Sequence, residues 1–331
     1  MVDGSMTMSY QALNCPPHVA GGLKHRTHLK TRCPNLCFLA KSTPSILLQT
    51  DEHGNVPEPK NLGSIFYPLG SQTTAPFLSQ ANTVGVIGGM SAVSTLRFLN
   101  KLVLWSVNDG EESLPFLVCS DPVLNKELSS LERASCPYLN SRNTLSPLDQ
   151  TAIVENLRQK INFLERAGAR CLVMPCHISH SWYDKISDGC SIPFLHAGEC
   201  VAKELKEAKL KPVGAGSGVR IGVLGTEATL NAGFYQEKLQ DQGFEVVLPD
   251  KATMEHTVIP AIEALSRKDM EGAGNLLRIA LQVLLVRAVN TIIIASDDMQ
   301  NLLPRDDPLL KKCIDPLDAL ARSTIQWAQS T

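Results

Sequence analysis

The sequence lacks a hydrophobic run long enough to cross a membrane, and none of its ten cysteines forms a CxxC pair. A membrane-spanning helix needs about 18 or more consecutive apolar residues. Disulfide-stapled and zinc-binding chains carry denser or more closely spaced cysteines. An excess of basic residues is also missing, because the formal net charge is −2, whereas nucleic-acid-binding proteins usually carry a basic patch. We therefore expect reduced thiols, no membrane partner and no nucleic-acid partner.

Acidic residues are scarce at the start of the chain, where Asp3 is the only one before residue 50. Such an acid-poor, hydroxyl-rich composition is typical of organellar transit peptides. We interpret residues 1–80 as a disordered leader and possible transit peptide, which would place the protein in the chloroplast; a leader retained on a cytoplasmic protein is the alternative. The leader also contains four residues of types that bind zinc, His25, His28, Cys33 and Cys37. Their spacing does not match any common zinc finger, so we expect no metal there.

The predicted folded region begins with a strand, a glycine loop and a helix. An apolar run from Thr83 ends at Gly88 and Gly89, and residues 91–107 carry apolar side chains at helical spacing. The glycines would let the backbone approach a ligand, and N–H groups in the first helical turn favour an anion. Because the loop lacks the full GxGxxG spacing, the pattern predicts a carboxylate or phosphate ligand and no nucleotide cofactor.

The segment CLVMPCHISH, residues 171–180, places a thiol and two imidazoles directly after a predicted strand. Pro175 cannot continue a central strand, so the strand ends there and Cys176 follows it. In open parallel α/β sheets, ligands bind outside the carboxyl ends of the strands. We therefore interpret Cys176 as a functional residue and Cys171, inside the strand, as a buried structural thiol.

The second half of this region repeats the first. VRIGVLGTEATLN parallels TVGVIGGMSAVST, and RAVNTIIIASDDMQN parallels RAGARCLVMPCHISH, which places Ser296 where Cys176 stands in the first half. The repeat predicts an α/β fold of two similar doubly wound parallel-sheet domains related by approximate twofold symmetry, with the active site in the cleft between them. The predicted domains span residues 81–210 and 219–317, and a C-terminal helix over 318–331 could pack back on the first.

A cleft with a reactive group on each side could remove a proton from a tetrahedral carbon and return one to the opposite face, which is racemisation. An amino-acid Cα–H is a weak acid, so without an electron-sink cofactor the base must be a thiolate, here that of Cys176, held in a dry, electropositive pocket. A thiol has a pKa of about 8.5, and a neighbouring cation or helix N-terminus lowers it. A protonated His177 and the N–H groups after Cys176 could lower the pKa of that thiol.

From about Thr83 onward, the chain resembles the aspartate/glutamate racemase family of pyridoxal-phosphate-independent racemases, and the leader suggests a plant member. The resemblance rests on four motifs: Gly88-Gly89-Met90, Met174-Pro175-Cys176 with His180, Leu224-Gly225-Thr226 followed by Gly233 and Tyr235, and Asp315-Pro316. It implies a cofactor-free isomerase that takes an amino acid or small dicarboxylate and forms a homodimer. It also implies catalytic roles for Cys176 and Ser296, and substrate contacts by a further set: Gly89, Met90, His177, Thr226, His256 and Asp297.

The chain departs from the family pattern at both catalytic strand ends. PCHISH replaces the usual Pro-Cys-Asn-Thr-Ala-His, and ASDD at residues 295–298 replaces Gly-Cys-Thr-Glu, so one thiol becomes the alcohol of Ser296. An alcohol is a far weaker acid than a thiol, so Ser296 would need help from Asp297 or Asp298 to deliver a proton.

The residues that would hold a distal carboxylate of the substrate also differ, with Arg133 and His256 as the nearest candidates. Three functions stay open on these grounds. The first is a racemase or epimerase of aspartate, glutamate or a similar small acid. The second is a one-thiol enzyme of the same fold, such as a decarboxylase or a cis–trans isomerase of a diacid. The third is a non-catalytic member that binds an amino acid.

Overall fold

The computed structural model describes residues 80–107, 114–134, 150–213 and 218–331. The leader, its transit-peptide interpretation and its four histidine and cysteine candidates lie outside the described residues, as does the side chain of Arg133. None of the described helices is long and apolar enough to cross a membrane.

A first parallel sheet has the strand order β2-β1-β3-β4. Its strands are β1 (Val84–Ile87), β2 (Phe116–Cys119), β3 (Cys171–Val173) and β4 (Phe194–Leu195). The two central strands, β1 and β3, are buried at every residue, as expected for parallel strands covered on both faces. The helices of this half are α1 (Ala92–Ser106), α2 (Pro122–Ala134), α3 (Gln150–Ala167), α4 (Tyr183–Ser187) and α5 (Ala197–Glu207), with a 3₁₀ turn at Ile178–Trp182.

A second parallel sheet has the order β6-β5-β7-β8. Its strands are β5 (Arg220–Gly225), β6 (Glu245–Val247), β7 (Thr291–Ala295) and β8 (Cys313–Ile314). Its helices are α6 (Glu227–Ala232), α7 (Phe234–Gln240), α8 (Lys251–Thr253), α9 (Ile259–Ser266), α10 (Met270–Val286) and α11 (Pro316–Gln329), with a π-helical turn at Met254–Val258 and a 3₁₀ turn at Pro308–Lys312. When the strands of each half are numbered along the chain, both sheets have the order 2-1-3-4. The predicted α/β fold with two parallel sheets is therefore confirmed.

The strand registers of the two sheets also agree. Val84 in the central strand β1 pairs with Cys171, and the corresponding residue of β5, Ile221, pairs with Thr291. Cys176 lies five residues after Cys171, and Ser296 lies five residues after Thr291. The register therefore makes Cys176 and Ser296 equivalent positions of the two sheets.

The two sheets share a hydrophobic core. One buried cluster combines Val86 and Phe98 from the first half with Val223 and Tyr235 from the second and Leu320 from α11. Two further clusters cover the outer faces of the two sheets. Both halves accordingly belong to one compact unit, and the boundaries at residues 210 and 219 stay predictions.

Helix α11 joins the end of the chain to the first half. Lys101 of α1 forms ion pairs with Asp315 and Asp318, and Arg322 makes two hydrogen bonds of 2.7 Å to the carboxylate of Glu204 in α5. These contacts fix α1 against the segment that follows β8.

Candidate active site

The residues singled out from the sequence lie at the carboxyl ends of equivalent strands. Gly89 follows β1 and Cys176 follows β3, while Thr226 follows β5 and Ser296 follows β7. This edge is where parallel α/β sheets bind ligands. The structure brings the two strand ends of the halves together through contacts centred on Cys176, His177 and Asp297.

Cys176 is buried, with 1% of its surface exposed. Its Sγ accepts a hydrogen bond of 3.3 Å from the backbone N–H of Met90. A Cβ atom at Gly89 would overlap the side chain of Cys176, so the absence of a side chain at this position leaves room for the thiol. The glycine loop and the thiol therefore form one packed unit, and Met90 contributes its backbone rather than its side chain to that contact.

The protonation state of Cys176 differs from the sequence-based prediction. Burial raises the pKa of this thiol to about 12, and the charge of Asp297 adds to the rise. Hydrogen bonds from Ser179 and from the backbone N–H of Met90 act in the opposite direction without overcoming it. The prediction of a lowered thiol pKa is therefore wrong for the protein alone, because the strand end is closed off from water.

His177 is neutral in this structure. Burial lowers the pKa of its imidazole to about 4, so it cannot be the cation predicted to stabilise a thiolate at neutral pH. Its Nδ1 lies 2.8 Å from the hydroxyl of Tyr235, a fully buried residue of α7 whose pKa is raised well above its ordinary value by burial. A phenol that keeps its proton can donate to Nδ1, which leaves the ring proton on Nε2.

Asp297 faces the other side of that imidazole. Its Oδ1 lies 3.6 Å from Nε2 of His177, which is too long for a hydrogen bond. Both atoms are buried, and neither has a hydrogen-bond partner among the described residues. Burial raises the pKa of the Asp297 carboxyl to about 7, against the effect of a hydrogen bond from Ser94. A carboxyl group that titrates near neutrality thus lies beside an unsatisfied ring nitrogen.

Ser296 is buried beside this pair, with 4% exposed. Among the described residues, no base accepts a hydrogen bond from its hydroxyl. The structure thus provides no partner that could activate the alcohol, although it places Ser296 at the position equivalent to Cys176.

The other predicted site residues have different surroundings. Thr226 caps α6 by accepting from the N–H of Thr229, and it donates 2.8 Å to a carboxylate oxygen of Glu132 in α2. His256 is exposed on the π-helical turn, so the structure does not bring it to the buried group. Nε2 of His180 lies 3.0 Å from the carbonyl oxygen of Met174, which makes His180 a support of the strand end.

Sequence reasoning missed a contact from α1. Arg97 donates a hydrogen bond of 3.3 Å to the backbone carbonyl of Asp297, 200 residues away. Arg97 and Lys101 are spaced i, i+4, so they lie on one side of the helix and both reach the second half. Two basic residues at this spacing in an otherwise apolar helix are the signal that could have found them.

Fold and site together define a class of α/β protein in which two equivalent parallel sheets bring their strand ends to one buried polar centre. The family model for Asp/Glu/Hydantoin racemase matches residues 87–324. The chain belongs to this family.

Relatives in sequence are distant. The chain is 26% identical over 172 residues to the broad specificity amino-acid racemase RacX of Bacillus subtilis (strain 168), which covers 50% of this chain and 64% of that protein. It is 26% identical over 149 residues to an uncharacterized protein in the pnlA 3' region of Pectobacterium carotovorum subsp. carotovorum, covering 44% of this chain and 92% of the relative. The match spans less than two thirds of the racemase.

Similar solved structures share the fold. An aspartate racemase homologue from Pyrococcus horikoshii OT3 has a TM-score of 0.58 and 20% identity, with 75% of this chain and 99% of that chain covered. The aspartate racemase of Picrophilus torridus has a TM-score of 0.55 and 23% identity, with 75% and 94% covered. At these identities, the likeness establishes a common architecture.

Proposed function

We propose that the protein is a cofactor-independent amino-acid racemase or epimerase in which Cys176 transfers a proton on one face of the substrate Cα. The observation that carries this proposal is the matching register of the two sheets, which sets Cys176 and the Ser296-Asp297 turn at equivalent strand ends. Groups on opposite sides of one carbon are what inversion requires. Membership of the racemase family and the likeness to RacX support the same reaction.

The second proton-transferring group in this proposal is Asp297 rather than Ser296. An effective general acid or base has a pKa near the working pH, and the buried Asp297 carboxyl, with a pKa of about 7, meets this condition. The serine hydroxyl is too weak an acid without an activating base, and no described residue supplies one. Asp297 is also near enough to Cys176 for its charge to raise the pKa of the thiol.

The proton balance of the reaction follows from these protonation states. Above pH 7 the protein holds Asp297 as a carboxylate and Cys176 as a thiol. The carboxylate takes the α-proton and becomes a carboxylic acid, and the electron pair of the C–H bond stays on Cα. Cys176 then donates its S–H proton to the opposite face and becomes a thiolate. The reverse direction uses the thiolate and the carboxylic acid, and exchange with solvent resets both groups.

His177 and Tyr235 position the groups that react. With its proton on Nε2, the neutral imidazole can donate a hydrogen bond to Asp297 after a closure of less than 1 Å from the observed 3.6 Å. Such a bond stabilises the carboxylate at the moment when it must act as a base. Tyr235 fixes the tautomer from the other side of the ring.

The substrate of this proposal is an α-amino acid, and the broad specificity in the name of the Bacillus relative argues against testing acidic amino acids alone. His256, one candidate for holding a distal carboxylate, is exposed and lies apart from the buried group. A panel of aspartate, glutamate and several neutral amino acids therefore suits the first assay.

The test measures the inversion of each enantiomer by chiral chromatography with the full-length protein. We expect at least one amino acid to be inverted, Cys176→Ser to abolish its inversion, and Cys171→Ser to keep it, because Cys171 is equally buried but lies inside β3. Full activity of Cys176→Ser would contradict the assignment of this thiol. No inversion of any amino acid would favour the non-catalytic alternative, and proton exchange without inversion would favour a one-thiol reaction on one face.

A further inference from the structure

Helix α1 of the first half reaches the strand ends of the second half through one polar face. Ser94, Arg97 and Lys101 are spaced i, i+3 and i+7, so they lie within about 60° of one another around the helix. Ser94 donates a hydrogen bond to the carboxyl group of Asp297, and Arg97 donates one of 3.3 Å to the backbone carbonyl oxygen of the same residue. Lys101 pairs with two acidic residues that follow β8. The helix that follows the glycine loop therefore holds Asp297 at two of its groups.

Arg97 binds the first and the last residue of the turn that follows β7. With the amide of Asn301 oriented so that its oxygen faces the helix, this oxygen accepts from three nitrogens of the guanidinium at 2.6, 2.8 and 3.1 Å. The backbone carbonyl of Asp297, four residues earlier, accepts from one of the same nitrogens. A planar guanidinium presents five N–H donors in a fixed fork, so it can hold two acceptors at a fixed separation. Arg97 thereby fixes the turn that carries Asp297.

Both of these acceptors of Arg97 are uncharged. Lys101, one turn further along α1, forms ion pairs with two carboxylates, whereas Arg97 forms none with a described residue. Arg97 is half-buried, and water and salt screen a partly buried charge less than an exposed one. The charge of Arg97 is therefore not neutralised by contact with a described carboxylate, and it favours the ionised form of the carboxyl group whose backbone it holds.

The strongest electrostatic influences on Asp297 come from two carboxylates and one cation. Burial raises the pKa of the Asp297 carboxyl to about 7, and the hydrogen bond from Ser94 opposes the rise. The charges of Asp298 and Asp315 raise this pKa further, and the charge of Arg97 lowers it. Three more neighbours from other elements are uncharged at neutral pH: His177, Cys176 and Tyr235. Within this set of groups, Arg97 favours the carboxylate by its charge.

We propose that Arg97 is a positioning residue of the active site, which holds the Asp297 carboxyl group in place through the turn after β7 and extends its action as a base to lower pH. This inference rests on the proposed function, in which Asp297 takes the α-proton. Both effects reach the substrate through Asp297. They can be separated by experiment, because lysine keeps the charge but its single ammonium group cannot reproduce the fork of the guanidinium.

The first test is the pH dependence of inversion at low substrate concentration. Arg97→Gln should move the midpoint of the rise with pH upward by about half a unit or more, because loss of a nearby cation raises the pKa of a carboxyl group. Arg97→Lys should keep the natural midpoint and lower the rate on the alkaline plateau by about tenfold, because a misplaced reacting group slows the reaction. The matched control, Arg158→Gln, should change neither; Arg158 is an exposed arginine of α3 that also donates to a backbone carbonyl, that of Lys185.

A second variant alters the same charge from the surface of the protein. Asn301 is exposed, and Asn301→Asp keeps the shape of the side chain while it gives the guanidinium of Arg97 a carboxylate partner. The paired guanidinium favours the Asp297 carboxylate less, so the midpoint should again move upward. Circular dichroism shows whether each variant is folded, and Asn301→Asp supplies the comparison if Arg97→Gln fails to fold.

The second test measures the ionisation of Asp297 without any activity. Urea unfolding at pH 5 and pH 9 gives the gain in stability from Asp297→Asn, first in the natural protein and then together with Arg97→Gln. The gain at pH 9 should be larger together with Arg97→Gln, because the buried carboxylate then lacks its cation.

An equal or smaller gain at pH 9, a midpoint of inversion that does not rise with Arg97→Gln or Asn301→Asp, or an unchanged plateau rate with Arg97→Lys would overturn the inference. A natural protein that inverts no amino acid would instead contradict the proposed function, and the stability comparison would still show whether Arg97 stabilises the ionised Asp297.

Discussion

Asp297→Asn should make the protein more stable in alkaline solution while removing its proposed activity. The structure raises the pKa of this carboxyl from 3.8 to about 7, chiefly by burial. Because the pKa of Asp297 is higher in the folded than in the unfolded state, its protonated carboxyl favours the folded state. This stabilisation is fully present below pH 3.8 and is lost as the pH rises through 7. About three pKa units correspond to a penalty of up to about 4 kcal/mol at pH 8 and above. Asparagine carries no charge at any of these pH values, so the variant avoids the penalty.

The measurement is urea unfolding of the natural protein and two variants at pH 5, 7 and 9. Asp297→Asn should exceed the natural protein by several kcal/mol at pH 9 and by much less at pH 5. The control is Asp298→Asn, the same change in the adjacent, exposed carboxylate, which should give a much smaller gain at pH 9, because its charge is a lesser cause than burial of the raised pKa of Asp297. A stability change for Asp297→Asn that is equal at all three pH values, or a loss at pH 9, would refute the argument from burial.

Inversion by Asp297→Asn should fall by about 10² or more, the usual contribution of a general acid or base. In the natural protein, the inversion rate at low substrate concentration should decline as the pH falls below 7, because the carboxylate that acts as the base becomes protonated. Ser296→Ala should keep at least a tenth of the natural rate. A larger loss for Ser296→Ala than for Asp297→Asn would show that the serine is the acting group.

Three further outcomes follow from the geometry. Gly89→Ala should abolish inversion and lower the melting temperature, because the added methyl group overlaps Cys176. The control Gly218→Ala should do neither, because a Cβ atom there would meet nothing within 4 Å. Equal effects of the two changes would contradict the packing of Gly89 against Cys176. Iodoacetamide mapping of the folded protein at pH 7 should find Cys176 modified more slowly than the half-buried Cys119, and rapid labelling would show a thiolate. Relative to the natural protein, His177→Asn should gain in urea midpoint as the pH falls from 6.5 to 4, because the natural fold must keep His177 neutral; a difference between the two proteins that is independent of pH would contradict this.

The fold could be predicted because its signals are local and repeated. The apolar strands, the glycine loops and the helix positions Ile153, Leu157, Ile161 and Leu164 are visible as patterns in the sequence, and all four helix positions are buried. The repeat of one pattern in the second half then fixed the architecture. Its two sheets share one strand order, as the repeat indicates.

The electrostatics of the site could not be predicted in the same way. The sequence places His177 next to Cys176, but only the packed structure closes both off from water. Burial raises the pKa of the thiol, which we expected to be lowered, and keeps His177 neutral. The approach of Asp297 to His177 joins residues 120 positions apart (297 − 177) and depends on how the two sheets meet. His256 lies apart from the buried group for a simpler reason, because its own side chain is exposed on the turn Met254–Val258.

The proposed transfer of protons on two faces of Cα is tested most directly by the position of deuterium early in a reaction run in D₂O. One enantiomer of a substrate found in the panel is incubated until about a tenth is inverted, and the two enantiomers are then separated and analysed by mass spectrometry. With Asp297 and Cys176 on opposite faces, the inverted product should carry one deuterium at Cα, while the recovered starting enantiomer should keep its proton. Deuterium in the recovered enantiomer at a rate equal to or above the rate of inversion would contradict the account, because it would mean that one group serves a single face.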